Sequence, residues 1–113
     1  MDKPRISIDE FSKIEVKVGT VRSAERVPET DKLLRLMVDF NEEGGPRQII
    51  SGIAGYVPEP ESLIGRQLAF VTNLEPRTIR GFESNGMLFA VGENESFAFF
   101  TPDRDIPPGT SAH

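Results

Sequence analysis

The chain has 113 residues, no cysteine and a single histidine, His113, and it carries 13 basic against 18 acidic side chains for a net charge of −5. That length suits one domain with one core. Without cysteine or an internal histidine there is no disulfide framework, thiolate zinc site or thiol nucleophile, and no imidazole held for a hydrolytic triad.

In chain order, Ser7-Ile8-Asp9-Glu10 has the spacing of a capping box and predicts a short helix through Phe11 and Ser12. From Lys13 to Val18 the apolar Ile14, Val16 and Val18 alternate with charged residues, the period of a half-buried strand. Gly19 marks a bulge, and the strand continues through Ala24. After a turn at Pro28 to Lys32, the strand from Leu33 to Phe40 sets Leu34, Leu36, Val38 and Phe40 on one face, with Arg35, Met37 and Asp39 on the other. Asn41 to Pro46 reads as a hairpin loop and Arg47 to Ser51 as the returning strand. Pro60 to Ile64 allows one or two helical turns. Further strands are expected at Arg66 to Thr72, Met87 to Val91 and Phe97 to Thr101.

Five or more short strands, with a short helix between the third and fourth, is the order of an OB-fold, an all-β, five-stranded Greek-key barrel with short helices, although other small barrels fit the same count. Residues 1–7 read as an N-terminal tail and 8–113 as the barrel domain, with a C-terminal extension from about 93 to 113. Met1 to Arg5 lacks the apolar run of a signal peptide and no stretch approaches ~18 apolar residues, so no membrane span and a cytoplasmic location are expected. No spacing of acidic residues suggests a metal site. A non-enzyme without catalytic residues, cofactor or metal is the expectation.

Between the fourth and fifth strands lies Asn73-Leu74-Glu75-Pro76-Arg77-Thr78-Ile79-Arg80-Gly81-Phe82-Glu83-Ser84-Asn85-Gly86-Met87. It is a cationic loop at a sheet edge, suited to phosphate because arginine offers a planar fork of donors. The alternative is a solvated hairpin. The charge deficit does not oppose an anionic partner here. Residues 46–92 carry four basic and four acidic side chains, whereas residues 93–113 carry one and four. At physiological salt the Debye length is about 8 Å, so an acidic tail elsewhere scarcely weakens a local arginine cluster.

Five ordered blocks carry a resemblance: Ile8 to Gly19, Asp31-Lys32-Leu33-Leu34-Arg35-Leu36, Ser51-Gly52-Ile53, Leu63-Ile64-Gly65-Arg66, and Asn73 to Met87. Together they resemble the EMAP II-like tRNA-binding domain, as appended to bacterial methionyl-tRNA synthetases and found free-standing, with the CsaA chaperone branch as near relative. The resemblance implies an OB-fold that binds tRNA by shape, without catalysis, and a symmetric homodimer. It is compatible with a role as an auxiliary or beta subunit beside a methionyl-tRNA synthetase catalytic chain, and equally with a fragment of such an enzyme. The CsaA branch implies instead a peptide-binding export chaperone, although Asp31-Lys32-Leu33-Leu34 looks like the synthetase-associated branch.

By resemblance, Lys32, Arg77 and Arg80 would meet phosphates, Arg35 would join them, Ser84 would donate to a phosphate or sugar oxygen, and Met87 would rest against a base or ribose. Each has a structural alternative. Lys32 solvates a turn, Arg35 pairs with Asp31 or Asp39, Arg80 pairs with Glu83, Ser84 caps its own turn, and Met87 belongs to the core. Phe97, Phe99 and Phe100 are too many for one face of a strand, and they read as a dimer interface or as the end of the chain's own core.

Overall fold

Period-two alternation between residues 16 and 51 produces a three-stranded antiparallel meander. The structure is a computed structural model and describes residues 2–113; Met1, counted in the tail above, lies outside them. β1 (Val16–Arg26), β2 (Leu34–Asp39) and β3 (Arg47–Ser51) pair in sequence. In β2, Leu34, Leu36 and Val38 are buried, and Arg35, Met37 and Asp39 are half-buried on the opposite face.

β1 is long enough to serve two walls of a barrel. Its second half, from Thr20 to Arg26, pairs with β2, while Val16 to Thr20 pairs with β4 (Gln67–Val71). β5 (Arg77–Ile79) and β6 (Phe82–Ser84) form a separate two-stranded ribbon, and β7 (Met87–Leu88) returns to β4. The main sheet thus runs β3-β2-β1-β4-β7. It nearly closes where Asn85 N–H donates to the Gln48 carbonyl at 2.8 Å and Ile50 N–H donates to Ser84 Oγ at 2.9 Å. This is the expected all-β OB-type barrel.

β8 (Ala90–Val91) pairs with β9 (Ala98–Phe99), and β10 (Ser111–Ala112) adds to the β1 edge. The single strand expected from Met87 to Val91 is therefore split at Phe89, because its two halves serve different partners.

The barrel is filled by Val21, Leu34, Leu36, Val38, Ile49, Leu63, Leu68 and Phe70, each essentially inaccessible to solvent, with Phe40 edge-on to Phe70 at 5.5 Å. The bulge expected at Gly19 lies instead at Arg22, where the β1–β2 register slips between Val21 and Ser23. Gly19 is a glycine for packing: a Cβ there would collide with Val38 and Phe40.

The N-terminal helix, α1 (Ile8–Phe11), is one turn long, and Ser7 caps it by accepting from Glu10 N–H at 3.1 Å. Pro60–Leu63 forms the expected helical turn, as a 3-10 helix. Among the described residues, no helix is long and apolar enough to cross a membrane, and no group of three or more His, Cys, Asp or Glu is placed to hold a metal.

Candidate nucleic-acid interface

The arginine-rich segment is a hairpin. Arg77 pairs with Ser84, Thr78 with Glu83 and Ile79 with Phe82, so Arg77, Ile79, Phe82 and Ser84 project from one face of the ribbon. Ser84 reaches Ile50 and Phe82 lies against Arg35, which identifies that face as the barrel side. The two residues at the tip, Arg80 and Gly81, have φ of 52° and 84°. Positive φ at both central positions is the mark of a type I′ turn, whose twist matches a β-ribbon and which favours Asn-Gly. Arginine in the first position is held in a conformation that L-residues avoid, and its side chain is thrown outward at the apex.

Arg77, Arg80 and Lys32 are exposed. Among the described residues none of the three makes an ion pair, so the Arg80–Glu83 pairing considered from sequence is not formed. The ribbon brings Arg77 and Arg80 together. Lys32 sits apart, in the loop before β2, where its carbonyl accepts from Ala54 N–H at 3.0 Å.

Arg35 is placed otherwise than expected. Its Nε donates to Gln48 Oε1 at 2.6 Å, its Nη1 donates to Glu25 Oε1 at 2.5 Å, and its guanidinium lies 5.6 Å from the Phe82 ring centre. Gln48 in turn donates from Nε2 to the Glu83 carbonyl at 2.9 Å. Arg35 thereby braces the ribbon through Phe82 and Gln48, with its Nε and Nη1 already engaged. The partner carboxylate is Glu25, which the sequence reading did not name. Gln48 and Phe82 are supporting residues that sequence reasoning missed. Gln48 offered a signal only in hindsight, as the residue directly before the apolar pair of β3.

Ser84 is also corrected. It is buried, accepts from Ile50 N–H and donates to the Gly86 carbonyl at 3.3 Å. Its hydroxyl supplies the acceptor that a neighbouring strand would have given β3, and so it closes the barrel. Gly86, at φ 140°, has a backbone conformation that side chains rarely adopt, and a Cβ there would press on the end of the Ile49 side chain.

Met87 is 46% exposed, so it is not core. Two of the three C-terminal phenylalanines do belong to the chain's own core. Phe97 stacks on Tyr56 at 4.3 Å and meets Phe99 edge-on at 5.1 Å, and both are half-buried against the core cluster. Phe100 stays exposed, stacked on Phe89 at 5.5 Å. The larger unpartnered apolar surface lies elsewhere, as a hollow of about 970 Å³ whose walls include Ile8, Phe11, Ile14, Leu74, Met87 and Phe89. Asn73 holds one wall in place: it donates to the Lys13 carbonyl at 2.6 Å and accepts from Glu15 N–H at 2.9 Å.

Electrostatic perturbation falls on the supporting frame. Arg47 grips both oxygens of Glu42 at 2.8 and 2.9 Å and donates to the Thr72 carbonyl at 2.7 Å. Its bonds hold the Glu42 carboxyl below the ordinary 4.5 and raise the guanidinium's own pKa. Arg22 likewise lowers Asp39 by donating to its carboxylate at 2.7 Å. Arg22, Arg35 and Arg47 are thus paired within the fold, whereas the hairpin's arginines are left to solvent.

A family model described as "Putative tRNA binding domain" matches residues 16–111. The chain belongs to that family. It is 50% identical over 108 residues to a methionine–tRNA ligase of Methanocorpusculum labreanum, covering 96% of this chain and 15% of that one. To the ligase of Helicobacter pylori it is 48% identical over 106 residues, covering 93% and 16%. The chain therefore spans about one-sixth of the length of these relatives, and the tRNA-binding domain is what it shares with them. A solved MetRS-related protein from Pyrococcus horikoshii superposes with TM-score 0.87 at 37% identity, covering 98% of this chain and all of that one. The chaperone CsaA from Bacillus anthracis superposes with TM-score 0.83 at 30% identity, covering 97% and 100%.

Proposed function

We propose that this domain binds tRNA through its backbone, without chemistry, and serves in the cytoplasm as an auxiliary or beta subunit of a methionyl-tRNA synthetase. The observation that carries the reading is the pair of unpaired arginines on the braced ribbon, Arg77 and Arg80, in a chain whose relatives include methionine–tRNA ligases. Lys32 adds a third phosphate contact from its separate loop. A-form RNA hides its major groove, so a reader of tRNA shape meets phosphates, 2′-hydroxyls and exposed loops. Tethering such a domain to a catalytic chain raises the local tRNA concentration without any new catalytic group.

The domain works as a homodimer joined at the hollow between α1 and β7. Phe11, Ile14, Leu74, Met87 and Phe89 are each 45–53% exposed there, and an apolar surface of that kind marks an interface. Two-fold pairing would present two arginine ribbons to one tRNA. Phe11→Asp should give a folded monomer by sedimentation; a Phe11→Asp dimer would move the interface elsewhere.

A second reading, a peptide-binding export chaperone, is favoured by the same hollow and by the likeness to CsaA. Gel shifts with total tRNA, single-stranded DNA and duplex RNA, each challenged with an unfolded polypeptide, separate the two. The tRNA reading expects tRNA to bind most tightly and to resist polypeptide. Displacement by polypeptide at lower concentration than by competing tRNA would reverse the order.

A further inference from the structure

Between the barrel side of the ribbon and the start of β7 lies a cavity of about 500 Å³, distinct from the apolar hollow although Leu74 and Met87 border both. Its size falls within the roughly 300–1,000 Å³ of small-ligand sites. Leu74, Pro76, Ile79 and Met87 give it apolar walls, and Ser84 and the exposed Arg77 belong to its lining. The geometry points to a slot for one unpaired nucleotide: we propose that an unstacked base enters this cavity while its phosphate meets the Arg77 guanidinium.

Three features fit a nucleotide better than a stretch of duplex. The walls are mostly apolar, as a base's faces require, with a polarizable thioether, Met87, among them. The cation is next to them on the same ribbon face, since Arg77 and Ile79 are two residues apart in β5 and therefore project together. A duplex would keep its bases stacked and out of reach of a slot, so only a loop, bulge or end could fill it. The lining also includes Glu75, a carboxylate that can accept from exocyclic amines and that repels phosphate, which favours the phosphate at Arg77. The frame around the slot is fixed on both sides, by Ser84 to Ile50 and by Gln48 to the Glu83 carbonyl and Asn85 N–H. The cavity is thus present before any ligand arrives.

This inference rests on the tRNA-binding reading and adds an unpaired nucleotide to it. It is tested by methyl NMR of the whole chain, following Ile79 and Met87 while adding total tRNA, a single-stranded RNA tetranucleotide or a blunt RNA duplex. The expected result is that tRNA and the tetranucleotide shift the Ile79 methyl and the duplex does not. Ile79→Trp, which fills the slot, should weaken tetranucleotide binding at least tenfold and duplex binding less than twofold. If tRNA binds with only arginine side-chain resonances moving, the slot is wrong and the backbone reading survives. If an apolar peptide moves the Ile79 methyl and displaces the tetranucleotide, the occupant is polypeptide. If no RNA binds at all, both readings fall together.

Discussion

Arg80→Asn separates the two demands placed on the hairpin apex. At φ 52°, followed by Gly81 at 84°, position 80 is the first central residue of a type I′ turn. An L-residue in the left-handed region is disfavoured by about 1–2 kcal/mol, and the several-fold enrichment of Asn there corresponds to about 1 kcal/mol in its favour. Replacing Arg80 by Asn creates the preferred Asn-Gly pair and should stabilise the fold by up to about 1 kcal/mol, which is about 3–6 °C in Tm for a domain of this size. The same change removes one cation from the RNA surface. Each phosphate contact contributes about 0.9 to the slope of log K against log salt, so its loss weakens binding about fivefold at physiological salt. Thermal unfolding by circular dichroism and anisotropy of labelled tRNA across a salt series read the two effects separately. A variant that melts higher and binds with a shallower slope matches the expectation. Unchanged binding would remove Arg80 from the interface, and a lower Tm would mean that the guanidinium supports the turn.

Arg35→Lys and Arg35→Ala should weaken tRNA binding by a similar several-fold factor and leave the salt slope intact, since neither preserves the fork to Gln48 and Glu25 or the contact with Phe82; wild-type affinity for Arg35→Lys would make Arg35 a phosphate contact after all. Ser84→Ala leaves the buried Ile50 N–H without its acceptor and should lower unfolding free energy in urea by about 1–3 kcal/mol with the salt slope unchanged; a stable variant with a shallower slope would restore Ser84 to the interface. Glu42 has a folded-state pKa below its ordinary 4.5, so its contribution to stability is present above pH 4.5 and is lost as pH falls through the lower folded value. Glu42→Gln should therefore lose stability near neutral pH and show a weaker acid-side decline than the parent; parallel pH profiles would show that the Arg47 pair does not govern that limb.

The barrel was legible because period-two alternation survives in Leu34 to Phe40, where one face is core. The arginines were legible for the same reason that they are exposed: nothing in the fold uses them. Arg35 and Ser84 were misread because their roles depend on residues distant in sequence. The bond from Arg35 to Gln48 spans 13 positions and that from Ile50 to Ser84 spans 34. Local pattern also cannot tell a bulge glycine from a packing glycine, and Gly19 is the latter because the Val38 and Phe40 side chains fill the space its Cβ would take. The phenylalanine cluster suggested an interface, yet Tyr56 and the core claim Phe97 and Phe99. The more exposed apolar surface came from Ile8, Phe11 and Ile14, which were read as parts of a helix and a strand and not as a face.

The most direct test of the central claim is the salt dependence of tRNA binding by the parent chain beside the double variant Arg77→Ala, Arg80→Ala. Three phosphate contacts from Lys32, Arg77 and Arg80 predict a slope of log K against log salt of about −3 per domain. The double variant should retain its Tm and bind every tRNA alike with a slope near −1. A parent titration that is flat across salt, or a double variant with the parent's slope, would contradict the account.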